Sequence, residues 1–262
     1  MQVRAGTRAL VTGASRGIGR SLAVALAARG AILGLAARSG AELEQLAAAL
    51  PGAHHALRCD VTDPTSTRDA IEQFVHSTGG LDLLIANAGV AHYGPFADQP
   101  LQDARRMTDV NWLGTLHTIH FGLPRMERGH IVIVSSGAGL RSFPQAAVYG
   151  ATKSAQRAFG EALRHELAGT GISLTLVYPG EIATTLHDHE KDRMPTWYRG
   201  AHHAARPDPL AARIIRAVEE DRRAVYHPPI VRALGVAHGI SPKLADALLR
   251  RIRDASAAPR RD

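Results

Sequence analysis

Short apolar segments alternate with longer segments of helical periodicity along most of this 262-residue chain. The apolar segments, such as RALVT (8–12) and IVIVSS (131–136), are rich in branched side chains, which is typical of buried strands. When a helix follows each strand, the chain returns over the sheet before the next strand begins, so consecutive strands run parallel. The alternation therefore predicts an α/β fold, a doubly wound parallel sheet with ligands bound at the carboxyl ends of its strands.

The composition limits the class of protein. Apolar residues make up 45% and charged residues 21% of the chain, as in an ordinary soluble domain. No apolar run approaches the roughly eighteen residues of a membrane span, and the N-terminus lacks a signal-peptide core. We therefore expect a cytoplasmic protein without a transmembrane segment. The single cysteine, Cys59, excludes an intrachain disulfide framework and a zinc cluster.

The charge and the absence of linkers also carry information. The formal net charge of +7 comes from scattered arginines and from the Arg-rich end at 250–262. This distribution favours a solvated surface over nucleic-acid binding, for which the chain has no recognised motif. Because there is no internal repeat or low-complexity linker, we expect a single domain over 1–262.

A glycine-rich turn joins the first predicted strand to the first predicted helix. Its glycines, Gly13, Gly17 and Gly19, are spaced G-x-x-x-G-x-G. They permit a tight turn and a close backbone approach, so a pyrophosphate can lie at the helix N-terminus. With the flanking strand and helix, the turn predicts a dinucleotide site and not turn chemistry alone.

The end of the second predicted strand, AILGLAAR (31–38), indicates which dinucleotide is preferred. An NAD enzyme places an acidic residue about here, on the ribose hydroxyls, but this strand ends in Ala37 and Arg38. Arg38, together with Arg16 of the glycine turn, suits a 2′-phosphate. This predicts NADP(H) as the preferred cofactor, with NAD(H) possible. The alternative is that Arg38 simply ends a strand in solvent. Just beyond, Ser39 and Glu42 predict a capping box.

Three later strand ends carry further candidates for cofactor contact. After HHALRCDV (54–61), Asp60 could accept from an adenine amino group or lie in a solvated turn. After LDLLIANAGV (81–90) and the strand near 172–179, the alternatives are contact with the cofactor or a plain turn. The residues at these two strand ends are Asn87, Ala88 and Gly89, and Pro179, Gly180 and Thr184.

A tyrosine and a lysine four residues apart lie in the predicted helix AAVYGATKSAQRAFGEALRHEL (146–167). Residues at i and i+4 share a helical face, so the Lys153 charge is expected to lower the pKa of the Tyr149 phenol from about 10. Ser136, at the end of the preceding strand, can hydrogen-bond a substrate oxygen. These three residues predict an acid/base site for a carbonyl or an alcohol. The alternative is an ordinary tyrosine beside a surface lysine.

A long helix is predicted from 98 to 126, with the polar Asn111 inside its apolar part. A buried asparagine must be hydrogen-bonded. It could be a structural residue, or it could hold a water that contacts Lys153.

Taken together, four motifs resemble those of the short-chain dehydrogenase/reductase family. The resemblance covers roughly 6–186 and implies a Rossmann fold and an NAD(P)-dependent oxidoreductase that interconverts a carbonyl and an alcohol. One departure is Ala86, where the family often has a second asparagine. The motifs are TGASRGIG (12–19), ANAG (86–89), YGATK (149–153) and PGEIAT (179–184).

The resemblance also implies roles for particular residues. Asn111 would hold a proton-relay water, Ser136 would polarise the substrate oxygen and Tyr149 would be the acid or base. Lys153 would lower the tyrosine pKa and bind the nicotinamide ribose. The implied cofactor-binding residues are Gly13, Ser15, Arg16, Gly17, Ile18, Gly19, Arg38, Asp60, Val61, Asn87, Ala88, Gly89, Tyr149, Lys153, Pro179, Gly180, Ile182 and Thr184, and no metal is implied.

The resemblance places a substrate lid at about 187–206, and the sequence beyond it predicts a helical extension with a basic tail at 228–262. Met194, Trp197 and Tyr198 could cover an apolar small-molecule substrate, such as a steroid-, retinoid- or acyl-like compound. The resemblance also implies a homodimer or homotetramer built on helices near 100–126 and 147–168. The lid histidines lack metal-ligand spacing; they are His187, His189, His202 and His203.

Two other functions remain open. One is an epimerase or dehydratase that uses the same cofactor chemistry, which the Ser-Tyr-Lys spacing and the short C-terminal region disfavour. The other is a redox sensor or scaffold that binds NADPH without turnover. The presence of both Tyr149 and Lys153 favours catalysis.

Overall fold

The computed structural model describes residues 1–190, 193, 204–243 and 245–247. Within them, seven strands form one parallel sheet in the order β3-β2-β1-β4-β5-β6-β7. This confirms the doubly wound sheet predicted from the alternating pattern. The strands are β1 (Arg8–Thr12), β2 (Ile32–Ala37), β3 (His54–Arg58), β4 (Leu83–Ala86), β5 (Gly129–Val134), β6 (Ile172–Pro179) and β7 (Ala224–His227).

Helices cover both faces of this sheet, as expected for parallel strands that are buried on each side. On β4, Leu83 and Ile85 pack into the apolar cluster on one face, whereas Leu84 and Ala86 pack into the cluster on the other. The helices are α1 (Gly17–Ala27), α2 (Gly40–Ala49), α3 (Pro64–Thr78), α4 (Leu101–Met107), α5 (Gly114–Gly122), α6 (Ala147–Glu166), α7 (Pro207–Glu219) and α8 (Ile230–Ile240).

The buried helix residues divide the helices between the two faces. Leu22 of α1, Leu43 of α2 and Ile214 of α7 belong to one cluster. Phe74 of α3 and Leu163 of α6 belong to the other. The two layers leave the carboxyl ends of the central strands open between them. Among the described residues, no helix is both long enough and apolar enough to span a membrane.

The single helix predicted over 98–126 is wrong in detail, because the chain changes helical type around Asn111. α4 passes into a wider π-helical turn at Thr108–Leu113, and α5 follows it. The backbone carbonyl of Asn111 accepts hydrogen bonds from the side chains of Thr115 and Gln156, both at 2.8 Å. These side-chain bonds compensate the carbonyl where the regular ladder is interrupted.

Two helix starts differ in how they are capped. Asp63 caps α3, and its carboxylate accepts from the Thr65 amide at 2.9 Å. Ser39 precedes α2 in an extended conformation, but its side chain makes no capping hydrogen bond, so the predicted capping box is not formed. The Ser39 and Glu42 side chains instead line the cleft described below.

Candidate active site

A cleft with a volume of about 280 Å³ opens at the carboxyl ends of the strands. It lies where the strand order reverses between β1 and β4, the position at which doubly wound sheets bind ligands. Of the residues that the sequence placed in the site, all but Gly19 and Asn111 line this cleft. The cleft therefore brings the glycine turn, the later strand ends and the Ser-Tyr-Lys group together.

The glycine turn forms one wall. Gly13 has a φ of +68°, and a Cβ on it would lie 2.9 Å from the Ala88 Cα. A Cβ on Gly19 would lie 2.2 Å from the Gly13 carbonyl oxygen, so Gly19 permits close packing of α1 on the turn although it does not reach the cleft. Backbone and glycine thus leave a cradle that side chains would fill, next to the N-terminus of α1.

Thr12 and Asn87 hold this turn against the end of β4. The Thr12 hydroxyl accepts from the Asn87 amide at 3.0 Å, and the Asn87 side chain donates to the Thr12 carbonyl at 2.9 Å. It also donates to the Gly13 carbonyl at 3.2 Å. Asn87 therefore fixes the turn from the cleft wall, and sequence reasoning missed its partner Thr12.

Charged side chains lie at the end of the cleft near β2. Arg16 and Arg38 are exposed at the rim. Glu42 lines the same end and places a carboxylate there, which the sequence reading did not anticipate. Asp60 lines the cleft as well, and its carboxylate accepts from the Thr62 amide at 3.0 Å and hydroxyl at 2.8 Å.

Ser136, Tyr149 and Lys153 meet at the opposite end. Tyr149 and Lys153 lie in the first turns of α6 and are only 6% and 4% exposed. The Lys153 ammonium nitrogen is 5.9 Å from the centre of the Tyr149 ring and donates to the Val134 carbonyl at 3.1 Å. The Ser136 side chain hydrogen-bonds that of Tyr149. The predicted trio is thus assembled in space.

Burial controls the protonation of this pair. It raises the pKa of the Tyr149 phenol above its usual value, while the hydrogen bond with Ser136 acts in the opposite direction. Burial lowers the pKa of Lys153 to about 7. The prediction that the lysine charge lowers the phenol pKa is therefore wrong for this structure, because loss of water disfavours the charged form of each group. At neutral pH the phenol is protonated and can donate its proton.

Asn111 lies behind the cleft and is fully buried. Its side-chain oxygen accepts from the Val90 amide at 2.8 Å, and its nitrogen donates to the Val90 carbonyl and the Thr152 hydroxyl, both at 3.0 Å. A Cβ placed on Gly89 would be 3.3 Å from this oxygen and 3.5 Å from the Lys153 nitrogen. Asn111 is thus a structural anchor beside the lysine, and its role with a relay water stays a prediction.

An apolar cluster next to Tyr149 was missed. The Tyr93 ring is fully buried, with its centre 5.9 Å from that of Tyr149 and 6.1 Å from that of Phe143. Val90, Val148 and Leu186 pack against the same cluster. No motif marks Tyr93, and the only signal was an aromatic residue soon after ANAG.

The predicted lid lies mostly outside the described residues. Met194, Trp197, Tyr198, His202 and His203 lie there, as do the side chains of His187 and His189. Within the described part of the chain, no group of three His, Cys, Asp or Glu side chains could hold a metal ion. Of the C-terminal extension, residues 228–243 and 245–247 are described, and they include α8.

Comparisons with known proteins agree with this geometry. The family model "short chain dehydrogenase" matches residues 7–195. An uncharacterized oxidoreductase of Myxococcus xanthus is 39% identical over 193 residues, which cover 71% of this chain and 76% of that protein.

Two solved structures are also similar. A short chain dehydrogenase/reductase from Burkholderia phymatum in complex with NAD is 26% identical with a TM-score of 0.83, covering 93% of this chain and 96% of that one. An alcohol dehydrogenase from Thermococcus sibiricus complexed with 5-hydroxy-NADP is 26% identical with a TM-score of 0.73. The match covers 84% of this chain and 94% of that one. From its sequence, its sheet and its cleft, the chain belongs to the short-chain dehydrogenase family and is an NAD(P)-dependent oxidoreductase.

Proposed function

We propose that this protein interconverts a carbonyl and an alcohol on a small, fairly apolar substrate, with NADP(H) preferred over NAD(H). The observation that carries the proposal is a single cleft lined both by the glycine turn and by Ser136, Tyr149 and Lys153. Steroid-, retinoid- and acyl-like carbonyl compounds are the substrate classes to test first.

The cleft fits a dinucleotide. The cradle at Gly13 admits backbone close to a pyrophosphate, and Asp60 and Val61 would border the adenine. Ala88, Gly89, Pro179 and Thr184 would border the nicotinamide half. The bound cofactor would supply the hydride, while the chain supplies orientation and the proton.

Tyr149 would act on the substrate oxygen. Because burial keeps its phenol protonated, it would donate a proton to the carbonyl oxygen during reduction and take one back during oxidation. The Ser136 hydroxyl would hydrogen-bond and polarise that same oxygen. Lys153, with a pKa of about 7, would bind the nicotinamide ribose as a donor.

The apolar surroundings of Tyr149 support an uncharged substrate. Tyr93, Phe143 and Leu186 belong to the cluster that packs against it, and a charged group among them would lose its hydration without a compensating partner. An aldehyde or ketone on an apolar body would place its only polar atom at Tyr149 and Ser136.

The preference for NADP(H) rests on Arg16 and Arg38, whose guanidinium groups suit a phosphate. Arg38→Asp should shift preference from NADPH towards NADH by removing positive charge and adding repulsion. Glu42→Gln is the matched variant, since it removes negative charge from the same end and should favour NADPH further. The ratio of the two dissociation constants, measured by calorimetry, checks both. An unchanged ratio in Arg38→Asp would show that Arg38 does not read the 2′-phosphate.

We also propose self-association through α5 and α6. Leu116, Phe121, Leu123 and Phe159 line a groove on this face, and charged side chains, among them Arg68, Glu72 and Arg125, border it. Light scattering of the purified protein should then give the mass of a dimer or tetramer.

The first experiment is a calorimetric titration with NADPH and NADH, followed by a panel of apolar aldehydes and ketones monitored by loss of nicotinamide absorbance. Binding with turnover supports the proposal. Binding without turnover on any member of the panel would instead favour a nucleotide sensor, and absence of binding would contradict both readings.

A further inference from the structure

Residues 90–94, which follow β4 and the stretch 87–89, carry Tyr93 towards the active site without belonging to the sheet. Their backbone is held by contacts from separate parts of the chain. Val90 is bonded by Asn111, the His92 amide donates to the Met107 sulfur at 3.4 Å, and the Gly94 amide donates to the Gln145 carbonyl at 3.0 Å. The Tyr93 amide donates to the Glu190 carboxylate at 3.0 Å.

Glu190 is buried to an unusual degree for a carboxylate, with 3% of its surface exposed. One oxygen accepts from the Tyr93 amide, and the other lies 2.7 Å from His92 Nδ1, which donates to it. Arg193 Nη1 is 3.5 Å from the second oxygen. A buried carboxylate is tolerated only when it is hydrogen-bonded in this way. The burial of Glu190 therefore depends on its contacts with Tyr93 and His92.

Because of its position in the chain, Glu190 connects two segments that border the cleft. It ends the helical turn Thr185–Glu190, which follows the cleft-lining residues Ile182 and Thr184. Its carboxylate therefore joins the segment that leaves the cleft after β6 to the segment that leaves it after β4.

The ring of Tyr93 packs against Tyr149, the proposed acid/base residue. Its ring is fully buried and stacked on Phe143, at an interplanar angle of 24°. Its other neighbour is the Tyr149 ring, 5.9 Å away and tilted by 58°. Because the ring has no free space, a shift of the Tyr93 backbone must move it against Tyr149.

We propose that Glu190 is a positioning residue for Tyr149, acting through the Tyr93 amide, His92 and the Tyr93 ring. This role rests on the proposed function, in which the Tyr149 hydroxyl meets the substrate oxygen. Loss of the carboxylate withdraws an acceptor from Tyr93 and His92 together and releases the segment behind Tyr149. A misplacement of about 1 Å at such a group can lower the rate about a hundredfold.

The kinetic test compares Glu190→Ala with Glu190→Gln. Alanine removes the hydrogen bonds with Tyr93 and His92 and the contact with Arg193. It should lower kcat by about ten- to a hundredfold, with the dissociation constant of NADPH nearly unchanged. Glutamine offers its oxygen to the Tyr93 amide and its NH2 group to His92, whose neutral ring accepts at Nδ1 when it carries its proton on Nε2. This variant should therefore restore most of kcat. Glu166→Ala, at the exposed end of α6, is the matched control and should equal wild type. Wild-type kcat in Glu190→Ala, or no recovery in Glu190→Gln, would overturn the proposal.

A second measurement does not depend on turnover. The chain has five tyrosines, and incorporation of 3-fluorotyrosine gives each a fluorine NMR signal, with Tyr93 and Tyr149 assigned through their Phe variants. In Glu190→Ala both signals should move, while those of the stacked pair Tyr178 and Tyr226 on β6 and β7 should not. An unmoved Tyr149 signal would overturn the proposal.

The two measurements separate the two hypotheses. Wild-type protein that turns over no carbonyl compound would contradict the proposed function, yet the fluorine spectra would still decide the coupling between Glu190 and Tyr149. If Glu190→Ala does not fold, Glu190→Asp replaces it in both experiments. Its carboxylate is one methylene shorter and cannot keep both hydrogen bonds, so the same direction of change is expected.

Discussion

At the scale of single residues, burial has a larger effect on the pKa values of Tyr149 and Lys153 than their spacing along the helix. The helical interval of four residues places them on one face, and the nitrogen is 5.9 Å from the ring centre. Yet both side chains are buried, and burial raises the pKa of Tyr149 and lowers that of Lys153. The pair in this state is therefore a neutral phenol beside a lysine that titrates near pH 7.

Tyr149→Phe should abolish turnover, because it removes the only hydroxyl proton at this position while keeping the ring in its place between Tyr93 and Lys153. NADPH binding should remain close to wild type, as measured by calorimetry, since the glycine turn is unaltered. Retained carbonyl reduction in this variant would contradict the acid/base assignment.

At the scale of elements, the change of helical type at Thr108–Leu113 connects two layers of the site. It lets Asn111 bond Val90 through its side chain and α6 through both its side chain and its carbonyl. The turn is therefore a joint between the segment after β4 and the helix that carries Tyr149.

Asn111→Ala should lower the free energy of unfolding by about 2 to 4 kcal/mol, because it leaves the Val90 amide and carbonyl without their partner in a buried place. Urea denaturation of the variant and of wild type checks this. Thr108→Ala, which removes an exposed hydroxyl one turn earlier, is the control and should change little. Equal stability of Asn111→Ala and wild type would show that the amide is not a structural anchor.

At the scale of the whole molecule, the sheet contains a titratable group that opposes acid stability. His130 on β5 is fully buried, its Nε2 lies 2.7 Å from the Thr175 hydroxyl, and burial lowers its pKa from 6.5 to about 4. The unfolded chain therefore binds more protons than the folded one between these two values. Stability rises with pH across that window and is lost as the pH falls towards 4.

His130→Gln should flatten this dependence, since glutamine does not titrate. Between pH 6.5 and 4, wild type should lose about 3 kcal/mol more unfolding free energy than the variant. Urea unfolding at several pH values measures both curves. Parallel curves would mean that His130 is not the group responsible.

Much of the architecture and most of the cleft could be predicted, because both depend on local patterns. Branched apolar runs gave the strands, and glycines that admit no side chain marked the cofactor wall. Tyr93 and Glu190 could not be predicted, since their partners are far away in the sequence and no periodicity joins them. The capping box failed for a related reason: Ser39 and Glu42 had the right spacing, but both side chains line the cleft.

The contacts of Glu190 have a consequence for how the protein matures. They join Glu190 to Tyr93 and His92, which lie 97 and 98 positions before it in the chain. The glycine turn and β4, in contrast, both lie within the first ninety residues. Contacts between distant parts of a chain form late, because a long loop must be closed first. During synthesis from the N-terminus, the glycine turn can fold against β4 before Glu190 has been synthesised. Until then, His92 and Tyr93 lack the hydrogen bonds with its carboxylate. We expect the nascent chain to acquire a nucleotide-binding half before it acquires a competent catalytic tyrosine.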